Sequence, residues 1–203
     1  MLNFLDIYVR KIGLQQNKCI KYLTELERDA SMFDKVEKYA AEREETCMNE
    51  IGIFDILGPN MIGPSSSHTA GALRIAFIAG KMVDHPAAVR FVLYGSFART
   101  YHGHGTDRAL VGGILGYHPD DERIRDSFEH AKEAGVEFAF EENFTDKEIY
   151  PNTVDIYVKD EKGNEMSLRG KSIGGGNAVI TRLNGVDVDL TGNYSTIVVQ
   201  HID

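Results

Sequence analysis

The chain has 203 residues, of which 42% are hydrophobic and 26% are charged, enough apolar content for one large core or two small ones. Its 31 acidic and 22 basic residues give a formal net charge of -9, which argues against nucleic acid as a partner because phosphate binding needs a basic surface. No apolar run approaches the roughly 20 residues that cross a bilayer. The N-terminus also lacks the basic segment and cleavage site of a signal peptide. We therefore expect a cytoplasmic protein with no membrane span.

Cysteine is scarce in this sequence. Cys19 and Cys47 are the only two, and both lie in the N-terminal quarter. This usage agrees with a reducing compartment. It also excludes a metal or iron-sulfur site ligated by cysteine alone within one chain.

The N-terminal segment is predicted to be helical. Residues 3–46 are rich in Leu, Glu, Lys and Tyr and place apolar residues at helical spacing, with a break near residues 29–31. We interpret residues 1–47 as a helical arm that packs on the body of the protein. The body is predicted over residues 48–191, where glycine and proline separate the elements.

The body begins with helices and ends with strands. Its pattern predicts a helix, a strand and three further helices at 69–83, 88–95, 97–101, 106–116 and 119–134. Five strands follow at 136–142, 153–160, 165–173, 177–184 and 186–190. Gly135 is expected to end the last helix, and Asn184-Gly185 indicates a hairpin because both residues tolerate positive φ. We predict an α+β fold with packed helices on a mixed, largely antiparallel sheet.

A last strand is predicted within residues 192–203, GNYSTIVVQHID. A single strand cannot bury its own faces. It therefore adds to a sheet of this domain or of a partner, or it is the first strand of a further module.

The stretch GPSSSHTAG stands at the start of the apolar helix. Arg74 and Lys81, the only charged residues of that helix, lie on one stripe, so the rest of the helix is predicted to be buried. Its unpaired N–H groups and the positive end of its dipole predict an anion site. Four hydroxyls add donors, from Ser65, Ser66, Ser67 and Thr69. His68 can act there as an acid, a base or a charge partner.

A helix cap is the simpler interpretation of these hydroxyls. One serine at the N-cap stabilises a helix by about 1 kcal/mol and would leave the other serines as turn residues. Four hydroxyls and a histidine exceed what a cap requires. We therefore favour a ligand site for a carboxylate or a phosphate.

A second polar stretch reads YHGHGTD. His102 and His104 are two residues apart, a spacing that directs both imidazoles to one face of an extended segment. A metal would need further ligands, and Asp107 is the only nearby candidate, so we predict hydrogen-bonding histidines and no metal site. Thr106 or Asp107 is expected to cap the helix that follows.

A third stretch, SIGGG, lies between two predicted strands. Gly174, Gly175 and Gly176 allow positive φ and a close ligand, or form a sharp bend. No helix follows, so neither a dinucleotide fingerprint nor a P-loop is supported. A serine hydrolase is not supported either, because no Gly-x-Ser-x-Gly elbow is present.

Taken in order, five motifs resemble the beta chain of the iron-sulfur-dependent L-serine dehydratases: IFDILGPNMIGPSSSHTAGA, YGSFARTYHGHGTDRALVGGILG, PDDERI, YPNT and GKSIGGG. The resemblance runs from about Ile53 to the C-terminus. In that family the cluster cysteines belong to an alpha chain, which is separate or fused after this part. Similar small domains are the allosteric substrate-binding domains of some phosphoglycerate dehydrogenases.

The resemblance implies the cluster-free subunit of an enzyme that converts L-serine to pyruvate and ammonia in serine catabolism. It implies an alpha-chain partner that holds a four-iron four-sulfur cluster, in a hetero-oligomer such as a dimer of heterodimers. His68 and Thr69 are then expected to be catalytic. The expected substrate-binding residues are Ser65, Ser66, Ser67, His104, Asp107, Gly174, Gly175 and Gly176.

Two features depart from the family pattern. Tyr150 stands where members commonly have the histidine of an HPNT motif. Beta chains commonly finish with an ACT domain, and residues 192–203 are similar to its first strand only. A second interpretation also stays open, a regulatory domain whose helix N-terminus binds serine, phosphate or a carboxylate without chemistry.

Overall fold

The computed structural model describes residues 6–12, 60–146, 148–191 and 195–201, the first and last of these ranges by their backbone alone. Four α-helices lie in these ranges: α1 (Gly71–Lys81), α2 (Gly95–His104), α3 (Thr106–Ile114) and α4 (Ser127–Glu133). The strands are β1 (Asp6–Ile12), β2 (Pro86–Tyr94), β3 (Glu137–Asn143), β4 (Thr153–Asp160), β5 (Glu165–Gly174), β6 (Asn177–Leu183), β7 (Val186–Leu190) and β8 (Ser195–His201). No helix of the described ranges is long and apolar enough to span a membrane.

The chain divides into two compact units, and the smaller comprises residues 1–51 and 192–203. Its described part is an antiparallel pair of β1 and β8. The terminal strand thus pairs within its own chain. The helical prediction is wrong for β1, because β-branched residues there pair with a strand distant in sequence, which local spacing does not reveal. The rest of the predicted arm lies outside the described residues.

The larger unit, residues 52–191, contains a six-stranded sheet in the order β3-β2-β4-β5-β6-β7. Strands β2 and β3 are parallel, and the other neighbours are antiparallel. The parallel pair is possible because α2, α3 and α4 form the long crossover between its strands. The predicted α+β fold with a mixed, largely antiparallel sheet is confirmed.

Most predicted elements of this unit are present with small shifts of their ends. The helix predicted over 119–134 is a 3₁₀ helix, Glu122–Asp126, followed by α4, and Gly135 follows α4 with a φ of 72°. The predicted hairpin is also confirmed, since Asn184 and Gly185 have φ values of 47° and 84°. Both residues adopt the positive φ that a tight two-residue turn requires.

Helix α1 is packed between the sheet and α3, as its apolar composition predicts. It contacts β4, β5 and β6 on one side and α3 on the other. The contact with α3 is close because Gly80 and Gly113 have no side chains. A Cβ on Gly113 would lie 2.5 Å from the carbonyl oxygen of Leu73 and 2.7 Å from Cβ of Ala76.

A buried polar network holds the end of β2 to β4 and β5. Arg169 donates from Nε and Nη2 to the Asp155 carboxylate at 2.6 and 2.7 Å, and the Tyr94 hydroxyl donates to the same carboxylate at 2.9 Å. Burial, then the hydrogen bond to Asp155, raises the pKa of Tyr94 to about 12. The network fixes the strand end from which α2 begins.

We expect Gly113→Ala to lower the free energy of unfolding. Overpacking a core costs about 1–3 kcal/mol, which exceeds the gain of up to about 1 kcal/mol from replacing a helical glycine. Gly103→Ala is the matched control, because a Cβ at Gly103 has no atom within 4 Å. Urea unfolding of the full chain measures both. Equal midpoints for Gly113→Ala and the wild type would contradict this description of the α1–α3 contact.

Candidate functional site

The serine-rich stretch forms a π-helical turn, Ser66–Ala70, that leads directly into α1. Ser65 is its N-cap, and the Ser65 hydroxyl accepts a hydrogen bond from the backbone N–H of His68 at 3.2 Å. One serine therefore does serve as a cap. The hydroxyl of Ser66 has no hydrogen-bond partner among the described residues, so capping does not account for the whole stretch.

Hydroxyl groups hold the His68 ring at both nitrogens. Nδ1 lies 3.0 Å from the Ser67 hydroxyl and 3.4 Å from the Ser65 hydroxyl. Nε2 lies 2.9 Å from the hydroxyl of Ser96, the second residue of α2. The edge of the ring also meets Phe97, with ring centroids 5.4 Å apart. The ring is thereby fixed in position and orientation.

His104 stacks on His68. The two ring centroids are 4.7 Å apart with an interplanar angle of 29°. Burial, then the like charge of His104, lowers the pKa of His68 below its ordinary value. His68 is therefore a neutral imidazole at pH 7.

The hydrogen bonding of His104 differs from that of His68. Nδ1 of His104 lies 3.3 Å from the backbone carbonyl of Thr100, which can only accept, so Nδ1 carries the proton of the neutral ring. The lone pair is then on Nε2. Among the described residues Nε2 has no hydrogen-bond partner, so His104 offers the basic nitrogen that His68 does not.

Thr69, His104 and Asp107 line one cavity of about 630 Å³. Thr69 is buried, and its hydroxyl donates to the carbonyl of His104 at 3.3 Å. Arg108 and Arg125 lie along the same cavity. Of the predicted site residues, the structure places these three along the cavity, whereas His68 and the glycines of SIGGG are not among its lining residues.

His102 and His104 do not share a face, and the expectation of an extended segment is wrong. Both lie in the last turn of α2, where two residues differ by about 200° around the helix axis. His102 instead points to Asp107, with Nδ1 2.9 Å from the carboxylate. The capping expectation is also wrong, because Gly105, which has no side chain, occupies the N-cap of α3.

Of the three glycines of SIGGG, Gly174 ends β5, and Gly175 and Gly176 form the turn to β6. Their φ values are 95°, 60° and 78° for Gly174, Gly175 and Gly176. The residues that flank the turn contact the start of α1. Arg74 donates to the Asn177 side chain at 3.1 Å, and Gly71 lies so close to Ser172 that a Cβ would overlap its hydroxyl. The turn is thus anchored at the N-terminus of the same helix as His68.

Sequence reasoning missed two residues, Ser96, whose hydroxyl contacts His68, and Asn152, whose side-chain oxygen is buried. Ser96 directly follows a buried strand and a glycine, which is a signal for a residue at a sheet edge. Asn152 belongs to YPNT, and its backbone carbonyl accepts from the N–H of Ser172 at 2.9 Å. Its Oδ1 is buried without a hydrogen-bond partner among the described residues, an energetic cost that a bound donor would remove.

Nothing in the described ranges is arranged to bind a metal ion. They contain no group of three or more His, Cys, Asp or Glu side chains placed for that purpose. The chemistry of the site, as far as these residues provide it, is that of hydroxyls, backbone N–H groups and imidazoles.

Residues 52–183 match the family model described as serine dehydratase beta chain. The L-serine dehydratase beta chain of Peptoniphilus asaccharolyticus is 48% identical over 155 residues, which are 76% of this chain and 70% of that one. The probable L-serine dehydratase beta chain of Bacillus subtilis is 47% identical over 152 residues, 74% of this chain and 68% of that one. An L-serine dehydratase of Streptomyces coelicolor is 32% identical over 161 residues, 68% of this chain and 35% of that protein.

The matched range contains the π-helical turn, α2 with its two histidines, and the glycine turn. It begins at Gly52, next to Ile53, where the sequence motifs predict the resemblance to begin. This chain belongs to the serine dehydratase beta chain family.

Proposed function

We propose that the chain is the beta subunit of an L-serine dehydratase and forms part of its active site. The observation that supports this most is the stacked pair of His68 and His104 beside the serine hydroxyls of the π-helical turn. In the proposed reaction L-serine loses its α-proton and its β-hydroxyl. The resulting enamine tautomerises to an imine, which water hydrolyses to pyruvate and ammonia.

An iron-sulfur cluster does not fit this chain alone. A four-iron four-sulfur cluster is held by cysteine thiolates, and the sequence has only Cys19 and Cys47. We therefore propose that an alpha-chain partner holds the cluster, which would supply a Lewis acid for the departing hydroxyl.

The π-helical turn is suited to the carboxylate of the substrate. The first N–H groups of a helix have no internal acceptor, and the helix dipole places partial positive charge there. The unpartnered hydroxyl of Ser66 is available as an additional donor. The Gly174–Gly176 turn lies at the same helix end, where backbone without side chains lets a ligand approach closely.

The two histidines differ in their hydrogen bonds, and we propose a different role for each. Nε2 of His104 has no hydrogen-bond partner among the described residues and His104 lines the cavity, so we propose this nitrogen as the base that accepts the α-proton. His68 is held at both nitrogens and supports the His104 ring by stacking. Thr69 donates its hydroxyl to the carbonyl of His104, so its proposed role is to hold that residue in place.

Reconstitution tests the proposed function. The chain is co-expressed anaerobically with a cysteine-bearing alpha chain, and pyruvate formation from L-serine is measured beside each chain alone. We expect pyruvate only from the pair. A pair with an intact cluster spectrum that forms no pyruvate would contradict the proposal and favour a regulatory domain that binds serine or phosphate without chemistry.

Substitution of the two histidines tests their division of roles. We expect His104→Gln to lower kcat of the reconstituted pair by about 10²- to 10⁴-fold, the usual contribution of a general base. We expect a smaller loss for His68→Gln, because Nε2 of His104 remains. His130→Gln is the control, since His130 lies on α4 and contacts the Tyr117 hydroxyl at 3.1 Å, with no contact to His68 or His104. Equal and large losses for both site variants would contradict the division, and unchanged turnover by His68→Ala would exclude any catalytic contribution of His68.

The pKa of His68 tests the electrostatics of the pair directly. His104 contributes to lowering it, so His104→Gln is expected to raise the pKa of His68. The pKa should stay below 6.5, because burial is the larger cause and is retained. NMR titration of the full chain, with the signal assigned by its loss in His68→Gln, measures the change. A lower or unchanged pKa would contradict the stacked arrangement.

A further inference from the structure

We propose that Ser96 is a positioning residue whose hydroxyl fixes the His68 ring and, through the stacking contact, the His104 ring. The expected effect of Ser96 on turnover rests on the proposed function. The contact between Ser96 and His68 is a property of this chain alone.

The position of Ser96 is determined by the backbone around it. Its N–H donates to the carbonyl of Pro151 at 2.7 Å, and the N–H of Phe97 donates to the same carbonyl at 3.3 Å. Gly95 has a φ of 53° and lies so near Pro151 that a Cβ would come within 2.7 Å of its backbone. These contacts fix the position of the start of α2. They therefore also fix the position from which the Ser96 side chain extends.

That hydroxyl has one hydrogen-bond partner among the described residues, Nε2 of His68 at 2.9 Å. It makes no other bond within α2. The carbonyl of Ser96, by contrast, accepts from the Thr100 hydroxyl at 2.8 Å, a bond that does not need the Ser96 side chain. Removal of the hydroxyl therefore leaves the helix bonds in place and removes only the contact with the imidazole.

The contact restricts the rotation of the ring and is compatible with either tautomer. A neutral imidazole donates from one nitrogen and accepts at the other. With Ser67 on Nδ1 and Ser96 on Nε2, each tautomer has a matching orientation of both hydroxyls. Without Ser96 the bond at Nδ1 remains and the bond at Nε2 is lost, so the ring can turn about its side-chain bonds. The flat surface on which His104 stacks would turn with it.

The experiment compares Ser96→Ala, Ser96→Thr and Thr100→Ala in the full chain. Ser96→Thr keeps a hydroxyl, and Thr100→Ala removes one from the same helix without touching His68. Ring ¹⁵N signals of His68 are recorded at a pH where the ring is neutral. We expect the Nε2 signal at the shift of a hydrogen-bonded nitrogen in the wild type, Ser96→Thr and Thr100→Ala, and displaced toward the shift of an unbonded nitrogen in Ser96→Ala. Identical signals in Ser96→Ala and the wild type would overturn the proposal.

A second arm measures turnover of the pair reconstituted with its alpha chain. We expect Ser96→Ala to lower kcat by about tenfold or more, as a misplaced catalytic group does, with little change in KM, and Ser96→Thr to recover most of the loss. A rise in KM with kcat unchanged would overturn the positioning role. If the wild-type pair forms no pyruvate, the proposed function fails, and the ¹⁵N signals still decide whether Ser96 fixes the ring.

Discussion

The site depends on the close packing of α1 between the sheet and α3. Gly71 meets Ser172 at the start of the helix, and Gly80 and Gly113 let it approach α3 to backbone contact. Because cores are close-packed, this helix cannot slide or turn without opening voids or overlaps. The π-helical turn that leads into α1 and carries His68 is therefore held in a fixed position. The proposed proton transfer requires such accurate placement.

A second constraint comes from the backbone of Pro151 and Asn152. The carbonyl of Pro151 binds the start of α2, and the carbonyl of Asn152 binds Ser172 at the end of β5. One short segment thus connects the element that holds His68 through Ser96 with the element that forms the glycine turn. Oδ1 of Asn152 is itself buried without a hydrogen-bond partner among the described residues.

Local pattern was sufficient for most of the larger unit. The apolar run of α1 and the alternating strands predicted the α+β fold, because the spacing of apolar residues in a helix or strand follows the face that is buried. It was not sufficient for β1, whose partner is distant in sequence, or for His102 and His104, whose spacing of two residues suggested an extended segment. The grouping of Ser65, Ser67 and His68 was predictable as one turn. Ser96 was not, because its contact with His68 arises from tertiary packing.

The stacked pair has an electrostatic consequence for the proposed chemistry. Two imidazoles 4.7 Å apart, partly removed from water, disfavour a state in which both are charged, and burial with the neighbouring ring lowers the pKa of His68. A neutral His68 also leaves His104 without a repelling charge when His104 accepts a proton from the substrate. In the proposed reaction the two rings together would accept one proton from the substrate and return it, as elimination followed by tautomerisation requires.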